Sequence, residues 1–250
     1  MQQAHFRFYA ELNDLLPAVK RERCFSHSFE MPATVKDTIE AFGIPHTEVD
    51  LILANGKPEG FSYLVRDGDR IGVYPVFRSL DLGLITRLQP RLEGEMRFVL
   101  DTHLGKLAAY LRMLGFDSVY RNDCQDEELA QMSACEQRIL LSRDRGLLKR
   151  SVVTRGYLVR AAQPRQQLVE VLRRFGLSES IAPFHRCLYC NTLLEPVSKG
   201  LISHRLPPGT KKYYDEFHWC PGCNRLYWKG SHHQRMVSVI DRITNSVELE

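Results

Sequence analysis

Arg97-Phe98-Val99-Leu100-Asp101-Thr102-His103-Leu104-Gly105-Lys106-Leu107-Ala108-Ala109-Tyr110-Leu111-Arg112-Met113-Leu114-Gly115 is the stretch whose pattern decides the fold. Its short apolar run Phe98-Val99-Leu100 predicts a strand, and the steps of three and four residues linking Leu104, Leu107, Ala108, Leu111 and Leu114 predict a helix. Gly115 is placed to end that helix. The same strand-then-helix alternation continues downstream. Residues 118–121 and 126–135 predict a strand and a helix, and residues 138–142 predict the strongest strand, followed by a short helix from Arg145. A strand over 157–160 precedes a helix with Pro164 in its first turn and Gly176 past its end. Repeated βα order predicts an α/β unit over 96–182, built on a parallel sheet with helices on both faces.

The 250 residues are 44% hydrophobic and 26% charged, which excludes a disordered or fibrous chain. No apolar run is long enough to cross a bilayer, so no membrane partner is expected. The start Met1-Gln2-Gln3-Ala4-His5 lacks the basic and apolar regions of a signal peptide. Together with Cys24, Cys124 and Cys135, scattered thiols that suit a reducing compartment, this predicts a soluble cytoplasmic protein. The net charge of +4 says little, but its distribution says more. Between Arg138 and Arg174 ten Lys/Arg stand against only Asp144 and Glu170, a bias suited either to phosphate contacts or to a solvated basic face.

Upstream, residues 1–78 predict a small module of order ββαββ. Two alternating segments, at 5–10 and 24–29, precede a helix whose start is marked by Thr34 and Asp37 and whose end is marked by Gly43. Asn55-Gly56 and Asp67-Gly68 punctuate two further strands. Through Phe6-Arg7-Phe8-Tyr9-Ala10-Glu11-Leu12, Thr34-Val35-Lys36-Asp37 and Asp67-Gly68-Asp69-Arg70-Ile71 the module resembles the ubiquitin-like sulfur carriers, a β-grasp fold. Carrier chemistry needs a free C-terminal diglycine, and here the chain runs on through Tyr74-Pro75-Val76-Phe77. A packing module, or one that docks a protein partner, is expected instead. Residues 79–95, with Gly83, Pro90 and Gly94, read as a linker.

In a parallel sheet, ligands gather at the carboxyl ends of the strands. Asp101 directly follows Leu100, Asp144 follows Ser142 by two residues, and Asp126 opens the intervening helix. Each alone reads as a helix cap. Jointly they read as a site for Mg²⁺ or Mn²⁺, hard cations that favour carboxylate oxygen.

Here the motifs Phe98-Val99-Leu100-Asp101, Leu104-Gly105-Lys106-Leu107-Ala108, Leu111-Arg112-Met113-Leu114-Gly115-Phe116-Asp117, Asp126-Glu127-Glu128-Leu129 and Ile139-Leu140-Leu141-Ser142-Arg143-Asp144 matter in their order. They resemble the PIN-like ribonuclease domain of the Mut-seven C-terminal family. That resemblance implies a metal-dependent ribonuclease with Asp101, Asp126 and Asp144 as catalytic carboxylates. A fourth acid common in such domains is missing after 157–159, where Arg160-Ala161-Ala162-Gln163 stands, so the site either recruits Asp123, Glu127 or Glu128 for a second metal or holds a single ion. Arg143, Arg145, Lys149, Arg150 and Arg160 are the expected RNA contacts of the basic strip.

Cys187, Cys190, Cys220 and Cys223 form two CxxC pairs, which predict a zinc ribbon over 183–236 followed by a tail over 237–250. Four thiolates leave tetrahedral Zn²⁺ no open position, so the zinc is structural. Tyr189, Tyr213, Tyr214, Trp219, Tyr227 and Trp228 lie among Lys199, Arg205, Lys211, Lys212, Arg225 and Lys229, a mixture that suits RNA or packing over the zinc. Lys211 and Lys212 are the expected RNA contacts. Two rival readings stand beside the ribonuclease: a non-catalytic RNA-binding protein with an incomplete acidic site, and an adaptor docking through the β-grasp module.

Overall fold

The computed structural model describes residues 1–76, 88 and 94–248, the last three as backbone. The stretch read as a linker, 79–95, lies outside the described residues except for 88, 94 and 95. In chain order the elements begin with β1 (Gln2–Phe8), β2 (Phe25–Phe29), α1 (Val35–Ala41), β3 (Val49–Ala54), β4 (Lys57–Glu59) and β5 (Arg70–Pro75). They continue with β6 (Arg97–Leu100), α2 (Gly105–Met113), β7 (Asp117–Tyr120), α3 (Asp126–Cys135), β8 (Ile139–Ser142), α4 (Arg145–Leu148), β9 (Gly156–Leu158) and α5 (Pro164–Phe175). The last are β10 (Glu195–Val197), α6 (Lys199–Ile202), α7 (Pro208–Tyr213), β11 (Phe217–Trp219), β12 (Leu226–Trp228) and α8 (Ser231–Glu248). Two compact units result, each drawn from two separate stretches of chain: Met1–Glu95 with Gln125–Leu158, and Met96–Cys124 with Val159–Glu250.

The first unit contains a mixed sheet of order β2-β1-β5-β3-β4, in which β1 runs parallel to β5 and antiparallel to β2. Alternation in β1 buries Ala4, Phe6 and Phe8, and the rings of Phe6, Phe8 and Phe25 pack edge-on against Phe42 at the end of α1. Thr34 starts α1 as expected, its Oγ1 accepting from Asp37 N at 3.1 Å. The sheet holds one strand more than the expected order. Asn55 (φ +53°) and Gly56 (φ +81°) supply the left-handed pair of a tight hairpin, which folds β4 back on β3.

In the same unit β8 and β9 pair in parallel. The β-grasp module grips this segment by name-specific bonds. Arg145 donates to the carbonyls of Leu15 (3.1 Å) and Gly43 (3.3 Å), and Lys149 donates to that of Glu40. The two ring nitrogens of His46 meet Glu40 Oε1 at 2.7 Å and Val153 O at 2.8 Å. Buried Glu48 accepts from the Leu158 amide at 2.6 Å.

In the second unit β6 and β7 pair in parallel, Arg97 opposite Asp117 through Leu100 opposite Tyr120. The expected stripe on α2 is buried, Leu107, Ala108, Leu111 and Leu114 being closed from solvent, and α2 packs on α5. Gly115 ends α2 at φ +96°, where a Cβ would stand 2.1 Å from Ala182 O, so glycine is required on two counts. Through the stretch read as a tail, 237–250, α8 runs as far as Glu248. Met236, Ile240 and Ile243 recur at helical spacing, and burial of Ile240 and Ile243 with α8 packed on α5 stabilises it.

The C-terminal segment forms an antiparallel sheet β10-β11-β12 over a small core of Ile202, Leu206 and Phe217. It is sewn to α2 and β7 by polar side chains. Arg112, 4% exposed, donates from Nε to Ser118 O at 2.8 Å and from Nη1 to the carbonyls of Leu188 (3.2 Å) and Tyr189 (2.7 Å). Burial pulls its pKa below the ordinary arginine value. Asn191 accepts from Ser118 N and donates to Asp117, and Arg186 donates to Gly115 O. Arg112→Met is therefore expected to destabilise the protein by about 2–4 kcal/mol, since three carbonyls lose a charged donor. Urea denaturation of the variant measures this, and a change below experimental error would refute it.

Candidate functional site

Asp101 stands at the carboxyl end of β6, 5% exposed, where the chain turns into the 3-10 turn Thr102–Leu104. Its carboxylate does not cap that turn, although its Oδ1 accepts from Thr102 Oγ1 at 3.1 Å. Asp144 lies two residues beyond β8 and does cap α4, accepting from Gly146 N at 2.7 Å. Ser142 Oγ fixes the approach by accepting from Asp144 N at 2.8 Å. Asp126 is the first residue of α3 and exposed, and its side chain makes no hydrogen bond among the described residues. The capping there belongs to Gln125 and Glu128, the Glu128 carboxylate accepting from Gln125 N at 3.2 Å. Capping thus accounts for Asp144 and is not the role of Asp101 or Asp126.

Of the substitute acids, Asp123 pairs with Arg121, whose hydrogen bonds hold its carboxyl below the ordinary value. Glu127 pairs with Arg150. Glu170 was not legible in the sequence as an acid for the segment after β9. It reaches back from α5 to accept from Arg160 N (2.8 Å) and Ala161 N (2.9 Å), so its oxygens serve that loop.

The basic strip divides by what its members touch. Arg145 and Lys149 are engaged by main-chain carbonyls of the β-grasp module and Arg150 by Glu127, whereas Arg143 is exposed with no partner among the described residues. Lys211 and Lys212 are exposed on α7, Lys212 lying 5.2 Å from the centre of the exposed Tyr213 ring.

The four cysteines are brought together. Their sulfurs all lie within 4.8 Å of one another, with Cys187 Sγ 3.5 Å from Cys223 Sγ and Cys190 Sγ 3.3 Å from Cys220 Sγ. Tetrahedral Zn²⁺ with bonds of about 2.3 Å needs sulfurs roughly 3.8 Å apart, so the set fits one ion with no position left for a substrate. Cys187 and Cys220 are fully buried, and the Tyr227 hydroxyl lies 3.0 Å from Cys187 Sγ. Asn191 (φ +73°) and Asn224 (φ +60°) turn the chain after each pair, and the amides of both bond back, to Cys187 O and Cys220 O. The paired knuckles have one construction.

The family model described as "Mut7-C RNAse domain" matches residues 96–240, more than half of the chain. The chain belongs to the Mut7-C RNAse domain family. A second model, "Mut7-C ubiquitin", matches residues 1–81 of this Mut7-C protein, in agreement with its β-grasp sheet. No curated protein and no solved structure matches the chain. Among its described residues no helix is long and apolar enough to cross a membrane.

Proposed function

We propose that this Mut7-C protein is a metal-dependent ribonuclease that hydrolyses RNA phosphodiester bonds. The observation that carries the reading is the match of 96–240 to an RNAse domain, in a chain whose aspartates follow β6 and β8 and open α3. Asp101, Asp126 and Asp144 would hold Mg²⁺ or Mn²⁺, for which their oxygen donors are suited. When bound, such an ion neutralises phosphate charge and acidifies a water. The chain's own contribution is orientation. The Asp144 carboxylate is held by the Gly146 amide at the head of α4, and α4 is in turn held by Arg145 and Lys149 on the β-grasp carbonyls. Arg143, Lys211 and Lys212 would meet the phosphates, and Arg145, Lys149 and Arg150 would act through the segment they brace; Arg160, half-buried with its Nε closed from solvent, is not counted with the first group.

Purified zinc-loaded protein given end-labelled single-stranded RNA is expected to cleave it when Mn²⁺ or Mg²⁺ is added and not when both are withheld. RNA bound but left intact with either ion would establish the non-catalytic reading instead.

A further inference from the structure

The face of the ribbon that carries Tyr189 holds a feature neither the zinc nor the acidic residues use. A cavity of about 430 Å³ opens between the first knuckle, strand β12 and the first turn of α8. Its rim is aromatic and cationic: the Arg225 guanidinium lies 4.0 Å from the centre of the Tyr189 ring, and Tyr189 is 66% exposed. Trp228, Ser231, His232 and His233 share the lining with apolar neighbours, and no carboxylate belongs to it.

Its polar groups are unspent. Among the described residues Arg225 makes no hydrogen bond and no ion pair beyond its ring contact, His232 has no side-chain partner, and the Trp228 Nε1–H finds no acceptor. Gly230 keeps the wall open, since a Cβ there would stand 2.8 Å from Trp228 Nε1. A smaller cavity adjoins this one, and its single acid, Glu216, is paired with Lys229 at 2.7 Å. An exposed ring already layered with a guanidinium presents a flat surface of the kind on which unpaired bases stack, and the guanidinium beside it suits a phosphate.

We propose that this groove binds an unpaired nucleotide of single-stranded RNA, its base stacked on the Tyr189–Arg225 layer and its phosphate facing Arg225 and His232. This rests on the ribonuclease reading for the choice of RNA and adds where the strand is held. Base pairs in a duplex are stacked within the helix and cannot offer a face to Tyr189, so the site selects unpaired RNA.

The test is fluorescence anisotropy of the full-length zinc-loaded protein with a short fluorescein-labelled single-stranded RNA, without added Mg²⁺ or Mn²⁺ so that binding is read apart from cleavage. Tyr189→Ala is expected to raise Kd about tenfold, the loss of one stacked base. Tyr189→Phe should stay close to the wild-type value because it keeps the ring, and Arg225→Gln should raise Kd while flattening its dependence on salt. Zinc content equal to wild type shows that each variant keeps its ribbon. Unchanged Kd in both Tyr189→Ala and Arg225→Gln, or equal affinity for the same sequence as a duplex, would overturn the proposal. Cleavage that depends on Mn²⁺ while those variants bind normally removes the groove and leaves the nuclease. Binding that depends on Tyr189 in a protein that never cleaves keeps the groove and removes the nuclease.

Discussion

Cys220→Ser is expected to abolish stoichiometric zinc binding and unfold the segment 183–230, while the β-grasp sheet keeps its stability. The reason is the smallness of the core: Ile202, Leu206 and Phe217 are the buried centre beneath a sheet of three-residue strands. So few apolar side chains supply little of the free energy needed to order the segment, whereas a structural Zn²⁺ supplies roughly 10 kcal/mol or more in comparable small folds. The damage should reach beyond the ribbon. Arg112 would lose the Leu188 and Tyr189 carbonyls as acceptors, and β7 would lose the Asn191 side chain that meets Ser118 N and Asp117. Metal analysis of the purified variant together with hydrogen exchange over β10–β12 checks this. A wild-type protein free of zinc after careful preparation, or a variant whose ribbon amides stay protected, would show that the cysteines are merely buried thiols.

Asp144→Asn is expected to lower RNA cleavage roughly 100-fold or more, the scale of the several kcal/mol that a bound metal ion contributes to phosphodiester hydrolysis. Its effect on stability should be small. The Asn side-chain oxygen can still accept from Gly146 N, and Asn caps helices about as well as Asp, so a few tenths of a kcal/mol is the expected loss. This separation of activity from stability distinguishes a metal ligand from a cap. Asp101→Asn should lose activity to a similar degree. An Asp144→Asn protein that cleaves RNA normally with Mn²⁺ would reduce Asp144 to a capping residue.

Much of the fold was legible because local pattern decided it. The apolar run Phe98–Leu100, the α2 stripe and the Pro164 and Gly176 boundaries of α5 each depend on neighbours within a few residues. The four-cysteine cluster was legible for a similar reason, since each CxxC is a local turn and the sulfur pairs need only be closed against each other. What sequence could not give was the employment of the charges. Arg145 and Lys149 lie in a basic run that reads as a phosphate strip. Their acceptors are carbonyls of Leu15, Gly43 and Glu40, more than 100 positions earlier. Glu170 has the same character, its partners being main-chain amides, which carry no residue signature. The helix through 237–248 had a readable signal in Met236, Ile240 and Ile243.

During synthesis the β-grasp strands emerge long before the segment that completes them. Residues 1–76 can pair their own strands early, yet the Glu48 carboxylate, fully buried in the finished protein, waits for the Leu158 amide, and Gly43 and Leu15 wait for Arg145. Such late, distant closure slows folding and prolongs the life of partly ordered intermediates. A chain arrested after residue 95 would therefore carry a folded-looking module that still lacks the Leu158 amide and the Arg145 and Lys149 side chains that close it, a nascent species finished only by the remainder of its own translation.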